Sequence, residues 1–163
     1  MAFYPLATGN SWTYKMKDGN SYTNEVTGAD GAVFTMKNSM MPNTTQIKKE
    51  GDEYLANHWD GTTFQLMLKE TDEKGYDWDV KFTANGLESI LRHTIKEIGI
   101  SKEVNGKTYP NVMMVEAESM LMMNGTLITL SYFTQYYFAD GVGLILTTTS
   151  AGDEHVLTDC KLN

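Results

Sequence analysis

The chain has 163 residues, the length of one domain, and carries 13 Lys and Arg against 21 Asp and Glu, a formal net charge of −8. Arg92 is the only arginine and Cys160 the only cysteine. That excludes the basic face a nucleic-acid binder needs, and it excludes any intramolecular disulfide. With 41% hydrophobic residues the chain can build a core, and no apolar run approaches the roughly 20 residues that cross a bilayer.

The first nine residues have neither a basic n-region nor an apolar h-region, so they do not form a signal peptide. The chain is therefore expected either to be cytosolic or to be the mature part of an exported protein whose leader has been removed. Turn signals follow at close intervals: Asp18-Gly19, Asp30-Gly31, Asp60-Gly61, Asn85-Gly86, Asn105-Gly106, Asn124-Gly125 and Asp140-Gly141 among them. Asn, Asp and Gly tolerate the positive φ that tight hairpins require. The segments between them are short and rich in Thr, Val, Tyr, Phe and Trp, as strands are.

Alternation picks out the strands. Trp12, Tyr14 and Met16 alternate with Thr13, Lys15 and Lys17; Phe64, Leu66 and Leu68 alternate with Gln65 and Lys69, with Met67 on the polar side. Tyr76, Trp78, Val80, Phe82 and Ala84 alternate with Asp77, Asp79, Lys81 and Thr83, which is the clearest case of one dry and one wet face. Residues 87–99 are ambiguous. Leu87, Ile90, Leu91, Ile95 and Ile98 fit a helical stripe that Gly99 would end, whereas as a strand Leu87, Leu91 and Ile95 share a face with Ser89 and His93. The hairpin turns on either side favour the strand. Further on, Met113, Val115, Ala117 and Leu121 are expected to face inward, opposite Glu116 and Glu118. Ile128, Leu130, Tyr132, Tyr136 and Phe138 line one face of a strand expected to be covered on both sides. Gly141 and Gly143 flank Val142, which suits a bulge or a close backbone approach. Cys160 alternates with Val156, Thr158 and Leu162 and reads as a buried structural thiol.

Several short motifs stand in a definite order. They are Phe3-Tyr4-Pro5-Leu6 with Gly9, Trp12 and Tyr14; Tyr109-Pro110; Tyr136-Tyr137 with Gly141-Val142-Gly143-Leu144; and Leu157 to Leu162. Together they resemble a family of bacterial exported or lipid-anchored cell-envelope proteins. The resemblance implies an all-β meander, a strand at residues 87–98, and a place in the periplasm or at the outer-membrane surface after leader removal. It carries over no catalytic residues.

The residues themselves point to little chemistry. His58, His93 and His155 form no metal-ligand spacing and read as solvent-facing or loop residues, and no metal or cofactor is expected. Asp72, Glu73, Asp77 and Asp79 lack calcium-loop spacing and read as a solvated face; a glycosidase pair would need two of them across a cleft. There is no Gly-x-Ser-x-Gly elbow, so an enzyme is not expected. Methionine is the unusual feature, with Met113, Met114, Met120, Met122 and Met123 within eleven residues and 11 in the chain. Met fills irregular apolar space and adapts to varied partners. Met113, Met120, Met122, Met123 and Trp59 are therefore the candidate ligand-binding residues, Trp59 being the Trp placed at a turn rather than on an apolar strand face.

The expectation is one all-β domain over residues 1–163, with eight to twelve antiparallel strands in a meander that forms a twisted barrel or half-barrel, or else a two-sheet sandwich. The functional expectation is a non-enzymatic envelope protein that binds a hydrophobic or lipid-like molecule, or a structural module that docks on another envelope protein through its Met120–Gly125 hairpin tip.

Overall fold

The computed structural model describes residues 1–163 as twelve strands without a helix. They are β1 Ser11–Met16, β2 Ser21–Asp30, β3 Val33–Asn38, β4 Thr44–Glu50, β5 Glu53–Ala56, β6 Gln65–Lys69, β7 Asp77–Ala84, β8 Leu87–Val104, β9 Lys107–Met123, β10 Thr126–Ala139, β11 Gly143–Thr149 and β12 Glu154–Lys161. The turn chemistry is the expected one. At Asn85-Gly86, Asn105-Gly106 and Asn124-Gly125 both central residues have positive φ, between 51° and 78°. That is the primed turn whose twist matches the strands it joins, and it connects β7 to β8, β8 to β9 and β9 to β10.

All strand pairs are antiparallel, in the order β6-β5-β4-β3-β2-β1-β12-β11-β10-β9-β8-β7. The first and last strands are thus neighbours in the middle of the sheet, and the two edges, β6 and β7, follow each other in the chain. The sheet curls into a nearly closed barrel in which these edges face each other. The seam is bridged by side chains. The Gln65 amide donates to the Lys81 carbonyl at 2.8 Å and accepts from the Lys81 N–H at 2.9 Å. The Trp78 indole donates to the Leu66 carbonyl at 2.9 Å. Edges that would otherwise template association are matched to each other.

The interior is one apolar cluster built from the inward face of nearly every strand, with Trp12, Tyr14, Val26, Ile47, Leu68 and Ile95 among its members. Trp12 is fully buried and its indole donates to the Val142 carbonyl at 2.7 Å; the Tyr14 hydroxyl donates to the Leu144 carbonyl at 2.7 Å. These two aromatics tie β1 to the segment around Gly143, where the expected close approach occurs. A Cβ at Gly143 would lie 2.9 Å from Trp12 Nε1.

The ambiguous stretch is a strand, and its helical appearance has a cause. β8 shifts register against β9 between Ile95 and Glu97, between Glu97 and Ile100, and again before Lys102, with Gly99 at φ 72°. These shifts lie beyond Ile95 and touch only Ile98; up to Ile95 the pairing is regular, and the stripe arises because Ile90, buried opposite Met120, lies on the face away from Leu91, His93 and Ile95. A bulge also alters the Cys160 expectation. Trp12 pairs with Cys160 but Tyr14 pairs with Leu157, so Thr158 is the extra residue and Leu157 faces the core. Cys160 is half-buried against that core rather than sealed within it, and partial burial, its largest influence, raises its thiol pKa. On β10, Tyr136 and Phe138 face inward, but Ile128 and Leu130 are exposed. That end of β10 runs beyond β11, whose pairing stops at Thr134, so nothing covers it.

Candidate functional site: an apolar cavity inside the barrel

One end of the barrel is plugged by the N-terminal segment. The Ala2 N–H donates to Asp140 Oδ1 at 2.8 Å, and the Ala2 carbonyl accepts from the Gly141 N–H at 2.8 Å. Across the opening, the Phe3 N–H donates to Glu70 Oε2 at 2.7 Å, and the same carboxylate takes the Tyr54 hydroxyl at 2.9 Å and pairs with Lys49. So anchored, Phe3 and Tyr4 are buried, and the Tyr4 ring sits 5.2 Å from Trp12 and 6.2 Å from Phe138.

Above this plug the core does not fill. A cavity of about 390 Å³ lies among the inward-facing side chains of the barrel, within the range of roughly 300–1,000 Å³ typical of small-molecule sites. Tyr4, Phe138 and Leu144 form its floor. Met36, Ile47, Met67, Val115, Tyr136 and His93 form its walls, and Asn24, Asn38, Met41, Thr45, His58 and Trp59 lie towards the opposite, open end. No Lys, Arg, Asp or Glu lines it.

His93 is the polar group set deepest in the wall. Read as a strand, β8 places His93 opposite Trp78 of β7 and Ala117 of β9. Its ring stacks on Trp78 at 5.1 Å and lies near parallel to Tyr136 at 6.4 Å. Burial pulls its pKa down to about 4; the Leu91 carbonyl and Asp79 oppose the shift, and His58 adds to it. The imidazole is therefore neutral near pH 7. Its Nδ1 lies 3.2 Å from the Leu91 carbonyl, which assigns the proton to that nitrogen and leaves Nε2 as an acceptor. His58 stacks on Trp59 at 4.0 Å on the way out of the cavity, and the surrounding wall lowers its pKa as well. Because His58 keeps an exposed edge, water tempers that effect, and His93 is the more firmly neutral of the two.

Of the candidate residues, Trp59 lines the cavity. Met113 is buried in the core, Met120 is buried opposite Ile90 outside the main cluster, Met122 is partly buried and Met123 is exposed. None of these four lines the cavity, whose methionines are Met36, Met41 and Met67. β9 crosses the barrel wall and extends past its rim, so only its middle, at Val115, reaches the cavity. The sequence did hold a signal for His93. On a strand it shares the face of Leu91 and Ile95, and of the three histidines only His58, exposed in the turn after β5, is solvent-facing as expected, since β12 carries a half-buried His155. That residue lies apart, bonded through Nδ1 to the Tyr22 hydroxyl at 2.5 Å. No three His, Cys, Asp or Glu side chains come together as a cation site.

Two solved structures share this architecture. One is a candidate lipoprotein from Parabacteroides distasonis, 11% identical, with a TM-score of 0.58. The other is a candidate exported protein with a YmcC-like fold from Bacteroides fragilis, 12% identical, with a TM-score of 0.60. Each alignment covers 98% of both chains. No protein-family model and no curated protein matches the sequence. At such identities the likeness is one of fold, and it extends over nearly the whole of each chain.

Proposed function

We propose that this chain is a non-enzymatic cell-envelope protein that binds a hydrophobic, lipid-like molecule inside its barrel. The observation that carries the reading is the cavity itself: apolar walls, no charged lining group, a floor held shut by the N-terminal segment and one open end. Small-molecule sites are mostly apolar with a few placed polar groups, and this lining has that composition. The envelope location rests on the family resemblance and on the lipoprotein and exported-protein descriptions of the two similar structures. The non-enzymatic part is supported by the lining chemistry. No carboxylate, Ser or Cys lines the cavity beside His93 or His58, so neither imidazole has a carboxylate to orient it or a Ser or Cys to activate.

Native mass spectrometry of the protein purified from its own host tests the reading. A retained apolar adduct, lost on partition into organic solvent, is the expected result. A bare mass, together with no uptake of alkyl probes by the purified protein, would overturn it.

A second reading rests on a different observation. Leu87, Met123, Ile128 and Leu130 are all exposed on the projecting ends of β8, β9 and β10. Large apolar side chains gathered at one end are the mark of a docking surface, which is the basis for an envelope-protein partner there.

A further inference from the structure

The cavity lining contains three polar atoms without a partner in the protein. His93, 4% exposed, gives its Nδ1 proton to Leu91 and keeps a free Nε2. Tyr4, 7% exposed, and Tyr136 line the cavity with hydroxyls that no other group engages. Elsewhere every enclosed side-chain N or O atom is satisfied, so these three are not sealed in the core; they open onto the cavity. Their rings follow one another along the wall by centroid separation: Tyr136 lies 6.4 Å from His93 and 6.4 Å from Phe138, and Phe138 lies 6.2 Å from Tyr4, so Tyr136 is the tyrosine next to His93. Nε2 can only accept a hydrogen bond, and each tyrosine hydroxyl can donate one or accept one.

From this we infer that the molecule the cavity takes is an uncharged amphiphile whose neutral hydroxyl-type group, able both to donate and to accept, docks inside the barrel at His93 and Tyr136, with its hydrocarbon against the methionines. The inference rests on the proposed apolar-ligand reading and narrows its ligand class. A carboxylate or an ammonium group at that depth would meet no opposite charge, because no Lys, Arg, Asp or Glu lines the cavity, and an unpaired buried charge is strongly disfavoured. An ammonium would find only one good acceptor, Nε2. A carboxylate could accept from the tyrosine hydroxyls, but its charge would stand uncompensated beside the Nε2 lone pair. An alcohol satisfies both partners, giving its proton to Nε2 and accepting from a tyrosine.

The test is a matched series of probes below their micelle concentrations near neutral pH: dodecane, 1-dodecanol, dodecanoate and dodecylammonium. Binding is read by tryptophan fluorescence, since Trp59 lines the route in, and by native mass spectrometry. 1-Dodecanol is expected to bind at least about tenfold more tightly than either ion. His93→Leu and, separately, Tyr136→Phe are expected to weaken 1-dodecanol about threefold to tenfold, the effect of one lost hydrogen bond, while leaving dodecane unchanged. Tyr136→Phe keeps the ring and so keeps the packing should the histidine variant fold poorly. If either ion binds as tightly as the alcohol, or neither variant distinguishes alcohol from alkane, the inference is overturned while the cavity reading stands. If none of the four binds, dodecane included, both fall.

Discussion

The side-chain amide of Gln65 exchanges two hydrogen bonds with the backbone of Lys81, at 2.8 and 2.9 Å, as a residue in a neighbouring strand would. It does so at the one place where consecutive strands, β6 and β7, have no backbone ladder. A primary amide is the only neutral side-chain group that presents a donor and an acceptor in peptide geometry. Gln65→Leu is expected to cost about 1–2 kcal/mol, because water takes over part of the lost pairing at this surface site. Gln65→Glu restores acceptance from the Lys81 N–H but not donation to its carbonyl, and should fall between. Amide exchange at Lys81 should quicken in Gln65→Leu relative to the β8–β9 ladder and stay slower in Gln65→Glu, which keeps an acceptor for that N–H. Unchanged exchange at Lys81 would mean that the seam does not depend on this pair.

Gly143 and Trp12 pack so closely that the glycine has no substitute. Its φ is 114°, and a Cβ there would press on Trp12 Nε1 at 2.9 Å and Cε2 at 3.3 Å. Trp12 cannot retreat, being wholly buried and bonded to the Val142 carbonyl. Gly143→Ala therefore combines backbone strain with overpacking, about 2–4 kcal/mol together. Gly141→Ala is the control. Its φ is 78° but nothing lies within 4 Å of its Cβ position, so the strain alone, about 1–2 kcal/mol, is expected. Urea midpoints at constant m-value measure both. Equal losses would mean that the tryptophan contact contributes nothing.

His93 gives the fold a pH dependence whose sign follows from its environment. Its pKa is about 4 in the folded protein and 6.5 in the unfolded chain. Between those values the unfolded state binds the extra proton, so stability falls as pH drops through 6.5 and the loss is complete near 4. The full effect is about 3 kcal/mol. His93→Phe keeps an aromatic ring against Trp78 and removes the titration. The variant's stability should fall less than the parent's over that window, with carboxylate titrations common to both cancelling in the difference. Parallel pH profiles would show that His93 is not held neutral.

The fold was legible in the sequence wherever a strand is flanked by ordinary turns. Trp12 and Tyr14, Trp78 and Val80, and the three Asn-Gly turns occupy the places their pattern dictates. Legibility failed at bulges. The extra residue Thr158 puts Leu157, not Val156 or Thr158, on the inward face that Cys160 shares with Trp12, and on β8 a buried Ile90 on the other face, with shifts past Ile95, gave the look of a helical stripe. Periodicity assumes one residue per pair, and a bulge breaks that assumption without a residue type that announces it. The cavity was harder still. Its lining comes from the plug and from eight strands or their flanking turns, and whether facing side chains meet or leave a gap depends on barrel diameter and stagger, which no local pattern encodes. Trp59 was visible because a tryptophan at a turn is unusual. Met36 and Met67 were not, because single methionines on alternating strands resemble ordinary core, and Met41, beside Met40 in the turn between β3 and β4, has no local mark of facing a cavity. The dense run from Met113 to Met123 drew notice by number, yet it follows one strand through the wall and out past the rim.

The final prediction separates an open cavity from a merely loose core. Leu144 is only half-buried and lies at the cavity floor, while its carbonyl is held by the Tyr14 hydroxyl. Leu144→Trp keeps that backbone contact and grows an indole into unfilled space. Overpacking of a filled core typically costs 1–3 kcal/mol. An empty, accessible cavity should instead accept the ring with a cost of less than about 1 kcal/mol, or a gain from the apolar area it buries. The same variant should lose most of its affinity for 1-dodecanol and dodecane alike, since it removes volume rather than a hydrogen bond. That pattern differs from Tyr136→Phe, which is expected to affect the alcohol alone. A strongly destabilised Leu144→Trp protein would mean that the floor is closed in solution. A stable variant with undiminished alkane uptake would place the apolar binding surface outside the barrel, at the exposed Leu87, Met123, Ile128 and Leu130 end.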